Sequence, residues 1–163
     1  MIYTLGRDRD YRPIIIFDIG KISKSTQDFE TTTAATHYLF DFVKNHLLVP
    51  GKVENWIVII DCRGVTTGEI SKNNVKQVIR EMGKFYPCRL EVMLVIHLPK
   101  FYKFIWKFVM FFMDKHTNNK IQILGSNYLD VIQRHVDPLQ LENKFGGKIK
   151  DIVRRFFPPK VKE

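Results

Sequence analysis

Along the chain, continuous apolar runs alternate with stretches whose apolar positions recur at helical spacing. The runs RPIIIFDIG, WIVIID, EVMLVIHL and KIQIL read as strands, and residues 26–48, 71–85 and 101–113 between them read as helices. This alternation predicts a βαβ arrangement, hence an α/β fold with a mixed, mostly parallel sheet and flanking helices. Positions 56–60 and 92–96 are apolar throughout, as expected of central strands covered on both faces. Ser25 or Thr26 is placed to cap the first helix, with Pro50 and Gly51 just beyond its end. Ser71 caps the second, and Pro87 disfavours a further turn after Tyr86. Gly125 and Ser126 turn the chain from the last strand into a short helix over 128–134.

The third helical stretch is unusual. Phe101, Ile105, Phe108 and Phe112 make one seam at spacings of four, three and four, with Phe104 and Phe111 on its flank. Lys100, Lys103 and Lys107 share a narrow arc, and Trp106, Met110 and Met113 fill the remaining surface. The run is shorter than the roughly 20 residues that cross a bilayer core and carries lysines within it, so it does not span a membrane. A helix apolar nearly all round except for one basic stripe fits two situations. It is buried with its lysines snorkelling to solvent, or it faces an apolar ligand cavity or a bilayer surface.

Charge narrows the partners without choosing among them. The 163 residues are one domain's worth, and 26 basic against 17 acidic residues give a net charge of +9. That balance favours an anionic partner: nucleic acid, phospholipid headgroups or an acidic protein. Nucleic acid is disfavoured, because no helix-turn-helix, zinc or RNP-like pattern occurs and the aromatic residues fall at core spacing. The start MIYTLGRDRDYRP lacks a signal-peptide core, and two cysteines are too few for a disulfide scaffold, so a cytosolic or peripheral-membrane location is expected. DCRGVTTGEIS has neither a P-loop ending nor a GxGxxG, Cys62 has no assignable base, and His37, His46, His97, His116 and His135 lack metal-ligand spacing. No catalytic residue, metal or cofactor is therefore expected. The tail 149–163 is basic and ends regular structure at Pro158 and Pro159.

GRDRDYRPIIIFDIG, WIVIIDCRGVT, the long segment from FYPCRLEVMLVIHLP through DKHTNNKIQILGSNY, and LENKFGG occur in an order and spacing that closely resemble the CRAL-TRIO lipid-binding domain of Sec-fourteen-like phosphatidylinositol transfer proteins. The resemblance covers residues 6–148. It implies a sheet that floors a large apolar pocket holding one lipid, and a non-enzymatic role in binding or transferring a phosphatidylinositol-like phospholipid or another hydrophobic small molecule. It also implies that the Phe-rich helix is a gate over the pocket that meets an anionic membrane surface, with Phe101, Phe104, Ile105, Phe108, Phe111 and Phe112 as pocket or gate residues. Thr117 and Lys120 match the family's headgroup-phosphate positions, and Cys88 stands where an acidic residue commonly follows Tyr-Pro. Trp56 and Val58 occupy strand positions where phosphatidylcholine-binding members place small hydroxyl residues, which narrows the pocket and disfavours that lipid. The family usually carries an N-terminal helical lobe before the Gly-x-Asp segment, whereas here the chain starts almost on the first strand. Related domains also serve as scaffolds and regulators of small GTPases, so a protein partner or a second copy of the chain covering apolar surface is the alternative reading.

Overall fold

The apolar runs assemble into a five-stranded sheet, ordered as in the sequence: β1 (Ile2–Arg7), β2 (Pro13–Asp18), β3 (Trp56–Asp61), β4 (Leu90–Ile96) and β5 (Ile121–Ile123). This computed structural model describes residues 1–111, 113 and 115–153, with the backbone only at 103, 105, 108 and 109. β1 pairs antiparallel with β2, and the other pairs are parallel, so the sheet is mixed and mostly parallel. β1 is not among the strands that the apolar runs predict. Its hairpin turn is built by Asp8, whose Oδ1 accepts from the backbone N–H groups of Asp10 and Arg12 at 2.9 and 2.7 Å. Tyr11 closes that turn at φ 64°, a left-handed conformation that suits glycine better.

The helices are α1 (Ile19–Ser23), α2 (Phe29–Phe42), α3 (Lys72–Phe85), α4 (Lys103–Phe111), α5 (Lys115–Asn119) and α6 (Tyr128–His135). The predicted first helix is split. Asp18 caps the short α1, and Asp28, rather than Ser25 or Thr26, caps α2 by accepting from the Thr31 N–H at 2.6 Å. A π-turn over Val43–Leu47 then carries the chain towards Pro50. Ser71 does cap α3, and α3 stops at Phe85, two residues before Pro87. The Phe-rich stretch opens with a 3₁₀ turn at Lys100–Tyr102 before α4 begins.

One face of the sheet is closed except at its β5 edge, where Gln122 is exposed. Ile14, Ile16, Ile57, Ile59, Leu94 and Ile96 pack there against Ile132 of α6, Val136 at its C-terminal cap, and Leu141 and Phe145 beyond it. Glu142 is buried behind this layer without being stranded. It accepts from the Tyr3 hydroxyl and, at 2.7 Å, from the Ile152 N–H, and Lys144 Nζ lies 3.3 Å away. Burial and these acidic contacts push the Tyr3 phenol well above its ordinary range. Gly146, at φ 78°, turns the chain here, and a side chain on Gly147 would run into the Leu141 carbonyl.

Candidate functional site

The opposite face is closed unevenly. Strand register aligns two rows of side chains on it, Ile15–Val58–Met93–Ile121 and Phe17–Ile60–Val95–Ile123. Beneath α2 packing is tight: Ile15, Trp56 and Val58 meet Leu39, Phe40, Val43 and Tyr86. The rings of Phe40 and Trp56 cross edge-on at 5.0 Å, with Tyr86 5.2 Å from Phe40 and 5.8 Å from Trp56. Further along the sheet, Phe17, Ile60, Met93 and Ile121 are only half-buried, and Ile123 is exposed.

The cause lies in α3. Its apolar positions Val75, Val78, Ile79 and Met82 form an inward strip, yet no residue of the helix is buried. The helix is held mainly at its ends. At its C-terminal end His37 Nε2 lies 3.0 Å from Glu81 Oε2, the Phe85 ring meets the His37 ring edge-on, and Tyr86 is buried against α2. The bond from His37 comes first among the contacts that hold the Glu81 carboxyl below its usual range. At the other end Lys72 Nζ sits 4.6 Å over the Phe104 ring and ties α3 to α4. The amphipathic helix thus lies beside a half-buried apolar floor, whose residues Ile60, Met93 and Ile121 also pack against the buried Val95 and Tyr102.

On α4 Trp106 is half-buried and packs against the cluster of Val95 and Tyr102, while the other described side chains are turned outward. Phe104 is 67% exposed and Phe111 83% exposed, with Met110 also exposed. Phe101, expected in the inward seam, lies in the 3₁₀ turn and is 49% exposed. Its seam partners Ile105, Phe108 and Phe112 lie outside the described side chains. Among the described residues no helix is long and apolar enough to cross a membrane.

The three headgroup candidates gather where β4 and β5 begin. Lys120 stands just before β5 and donates from Nζ to the Leu90 carbonyl at 2.6 Å. Cys88, at φ 60°, lies two residues before β4, and its carbonyl accepts from Asn55 Nδ2 at 2.9 Å. Thr117 on α5 accepts through its carbonyl from the Lys120 N–H at 3.0 Å. Trp56 and Val58, by contrast, sit in the packed half under α2, each 2% exposed. The sequence reading gave no part to His37, which bridges two helices, or to Asn118, whose Nδ2 donates to the Met110 and Met113 carbonyls at 2.9 and 3.3 Å. Neither contact leaves a signal in a linear pattern.

At the carboxyl ends of β2 and β3 a separate crevice of about 520 Å³ is ringed by Asp18, Lys21, Lys24, Asp61, Arg63 and Lys144. Its charges are largely satisfied within the protein: Asp61 Oδ1 takes the Arg63 N–H at 2.9 Å and lies 2.9 Å from His97 Nδ1. Cys62 next to it is buried, and burial followed by the Asp61 charge pushes its thiol up to about 12, which makes it a poor nucleophile. Among the described residues no group of three His, Cys, Asp or Glu could hold a metal ion.

The profile of the CRAL/TRIO domain matches residues 1–147. The chain belongs to the CRAL/TRIO domain family. Among curated relatives of this family, it is 29% identical over 163 residues to the phosphatidylinositol/phosphatidylcholine transfer protein SFH9 of Arabidopsis thaliana, covering 89% of this chain and 27% of that protein. It is 26% identical to the SEC14 cytosolic factor of Yarrowia lipolytica, covering 90% of this chain and 32% of the other. The CRAL/TRIO fold itself is matched by the crystal structure of Sfh5, with a TM-score of 0.75 at 19% identity over 90% of this chain and 54% of that one. The chain thus spans about a quarter to a third of these two curated relatives.

Proposed function

We propose that this CRAL/TRIO chain holds one lipid molecule, phosphatidylinositol-like in its polar end, between the half-buried floor and the α3–α4 pair, and exchanges it at an anionic membrane surface through α4. The observation that carries the reading is the uneven closure of the sheet. One face is closed apart from its β5 edge, while Phe17, Ile60, Met93 and Ile121 lie half-buried beneath helices whose neighbouring phenylalanines face solvent. Acyl chains fit such a floor because each methylene removed from water contributes about 0.8 kcal/mol. Lys120 uses one donor on Leu90, and an ammonium has three, so it keeps capacity for a phosphate oxygen near Thr117 and Cys88. The filled region around Trp56, Phe40 and Tyr86 leaves no room there for a bulky headgroup, so the polar end belongs at the Lys120 end. The names of SFH9 and the other transfer-protein relatives agree with a phospholipid ligand.

The test is transfer of fluorescent phosphatidylinositol between vesicles. Transfer should be catalytic in protein and faster to anionic than to neutral acceptors, and that preference should fade with salt, since surface attraction is screened within about 10 Å at 0.1 M. Absence of transfer to either acceptor, with a protein partner captured through Phe104 and Phe111 instead, would favour the scaffold reading.

A further inference from the structure

The positive charge of the chain is unevenly placed. Residues 72–120 carry 10 basic against 3 acidic residues, which is +7 of the net +9. Four of these cations, Lys72, Lys76, Arg80 and Lys84, recur at every fourth position of α3 and so share one face along about 18 Å of helix. That face is not the one that carries Val75, Val78, Ile79 and Met82 inward. Nor is it the flank turned to α2, where Glu81 meets His37 at 3.0 Å. It faces outward on the side of α4: Lys72, Arg80 and Lys84 are exposed, Lys76 is half-buried, and Lys72 Nζ lies 4.6 Å over the Phe104 ring. The other described acid of this segment, Glu91, lies away from the row, 3.5 Å from Arg12. Like charges four residues apart repel along a helix, so the row weakens α3 in water alone. An anionic surface would turn that repulsion into attraction.

What stands beside the row indicates which surface. Phe104, Met110 and Phe111 of α4 are exposed, and at the far end of the row Lys84 Nζ lies 5.1 Å from the exposed Phe85 ring. A row of cations bordered by exposed apolar side chains matches a bilayer, whose anionic headgroups overlie an apolar interior. Met110 and the phenylalanines favour this partner over nucleic acid, whose backbone offers them no such interior. We infer that the basic row on α3 is a second membrane-contacting element, which lies on anionic headgroups while α4 inserts beside it, and that it carries much of the salt-sensitive attraction. The inference rests on the membrane exchange proposed above and assigns its electrostatic part to a helix other than α4.

Arg80→Gln with Lys84→Gln removes two exposed charges from the row and leaves Lys72 and α4 untouched. Arg134→Gln with Lys148→Gln is the control, removing two exposed charges from α6 and the segment beyond it, on the other side of the sheet. The full chain and its variants are sedimented with phosphatidylcholine vesicles, with and without phosphatidylserine, over a salt series. A cation at an anionic surface is worth roughly fivefold in affinity, so the row variant should bind phosphatidylserine vesicles roughly twenty- to thirtyfold more weakly at low salt, with a flatter salt dependence. The control should bind like the parent, and so should Arg80→Lys with Lys84→Arg, which keeps both charges. Equal losses in the row and control variants would show that net charge alone acts. Undiminished binding by the row variant, where Phe111→Ala still weakens binding, would show that α4 acts without the row. Either result overturns the inference, as would a loss in the charge-retaining variant, which would mark the row as packing. A parent that ignores both vesicle types would remove the membrane reading and the inference with it. Capture of a labelled oligonucleotide through Arg80 and Lys84 by such a parent would assign the row to nucleic acid instead.

Discussion

Replacing Phe111 with Ala separates a membrane-facing role from a packing role. The ring is 83% exposed, so only a small part of its surface is removed from water by folding. Full burial of a Phe side chain stabilises by about 1.5–3 kcal/mol, which leaves Phe111→Ala costing under about 0.5 kcal/mol. Phe40, 4% exposed and wedged among Phe17, Trp56 and Tyr86, is the control, and Phe40→Ala should cost about 3–5 kcal/mol through its lost burial and the cavity it leaves. At a bilayer the order reverses. The surface of Phe111 that folding leaves in water is what insertion would bury, worth about 1–2.5 kcal/mol, so vesicle affinity should fall roughly five- to fiftyfold in Phe111→Ala. Urea unfolding measures the first quantity and vesicle sedimentation the second. A Phe111→Ala variant that sediments like the parent, or that loses as much stability as Phe40→Ala, would refute the reasoning.

Lys120→Ala should slow phosphatidylinositol transfer roughly tenfold or more while leaving uptake of an uncharged apolar ligand nearly unchanged, since a charge-assisted hydrogen bond contributes about 1.5–3 kcal/mol; unaltered transfer would remove the phosphate assignment. Tyr11→Gly should raise the urea midpoint, because Tyr11 is 73% exposed at φ 64° and relief of its backbone strain is worth about 1 kcal/mol; an unchanged or lower midpoint would show that the turn is unstrained. The Asp28 carboxyl is held below its ordinary range by the backbone N–H and side chain of Thr31. Its folded-state pKa is lowered, so its contribution is fully present above the usual carboxylate range of about 4 and is lost as pH falls through the lowered value. Asp28→Asn keeps a capping oxygen without a titrating proton and should flatten part of the acid decline in stability, whereas a profile parallel to the parent's would contradict the assignment.

The fold was legible where a strand is apolar along its length. The all-apolar runs at 56–60 and 92–96 became β3 and β4 at the centre of the sheet, as strands covered on both faces must. β1 was not legible, since Ile2–Arg7 mixes polarity and is fixed by a turn whose key acceptor, Asp8, looks like any surface acid. The cap of α2 fell to Asp28 instead of Ser25 or Thr26 because α1 takes up the first turn after β2, a split that helical periodicity does not reveal. At the site, Thr117, Lys120 and Cys88 could be named from the resemblance alone; Thr117 lies on α5, Lys120 just before β5 and Cys88 two residues before β4. Trp56 and Val58 were expected to shape a pocket, and register set them among the rings beneath α2, in a region already filled. The half-buried floor lies beside α3, none of whose residues is buried, and no local pattern encodes that packing.

Native mass spectrometry of the purified chain, after incubation with phosphatidylinositol-containing vesicles and their removal, tests the central claim most directly. One species heavier than the polypeptide by a single lipid is expected, with that lipid released on denaturation. A polypeptide that remains folded and carries no added mass under the same conditions would contradict it.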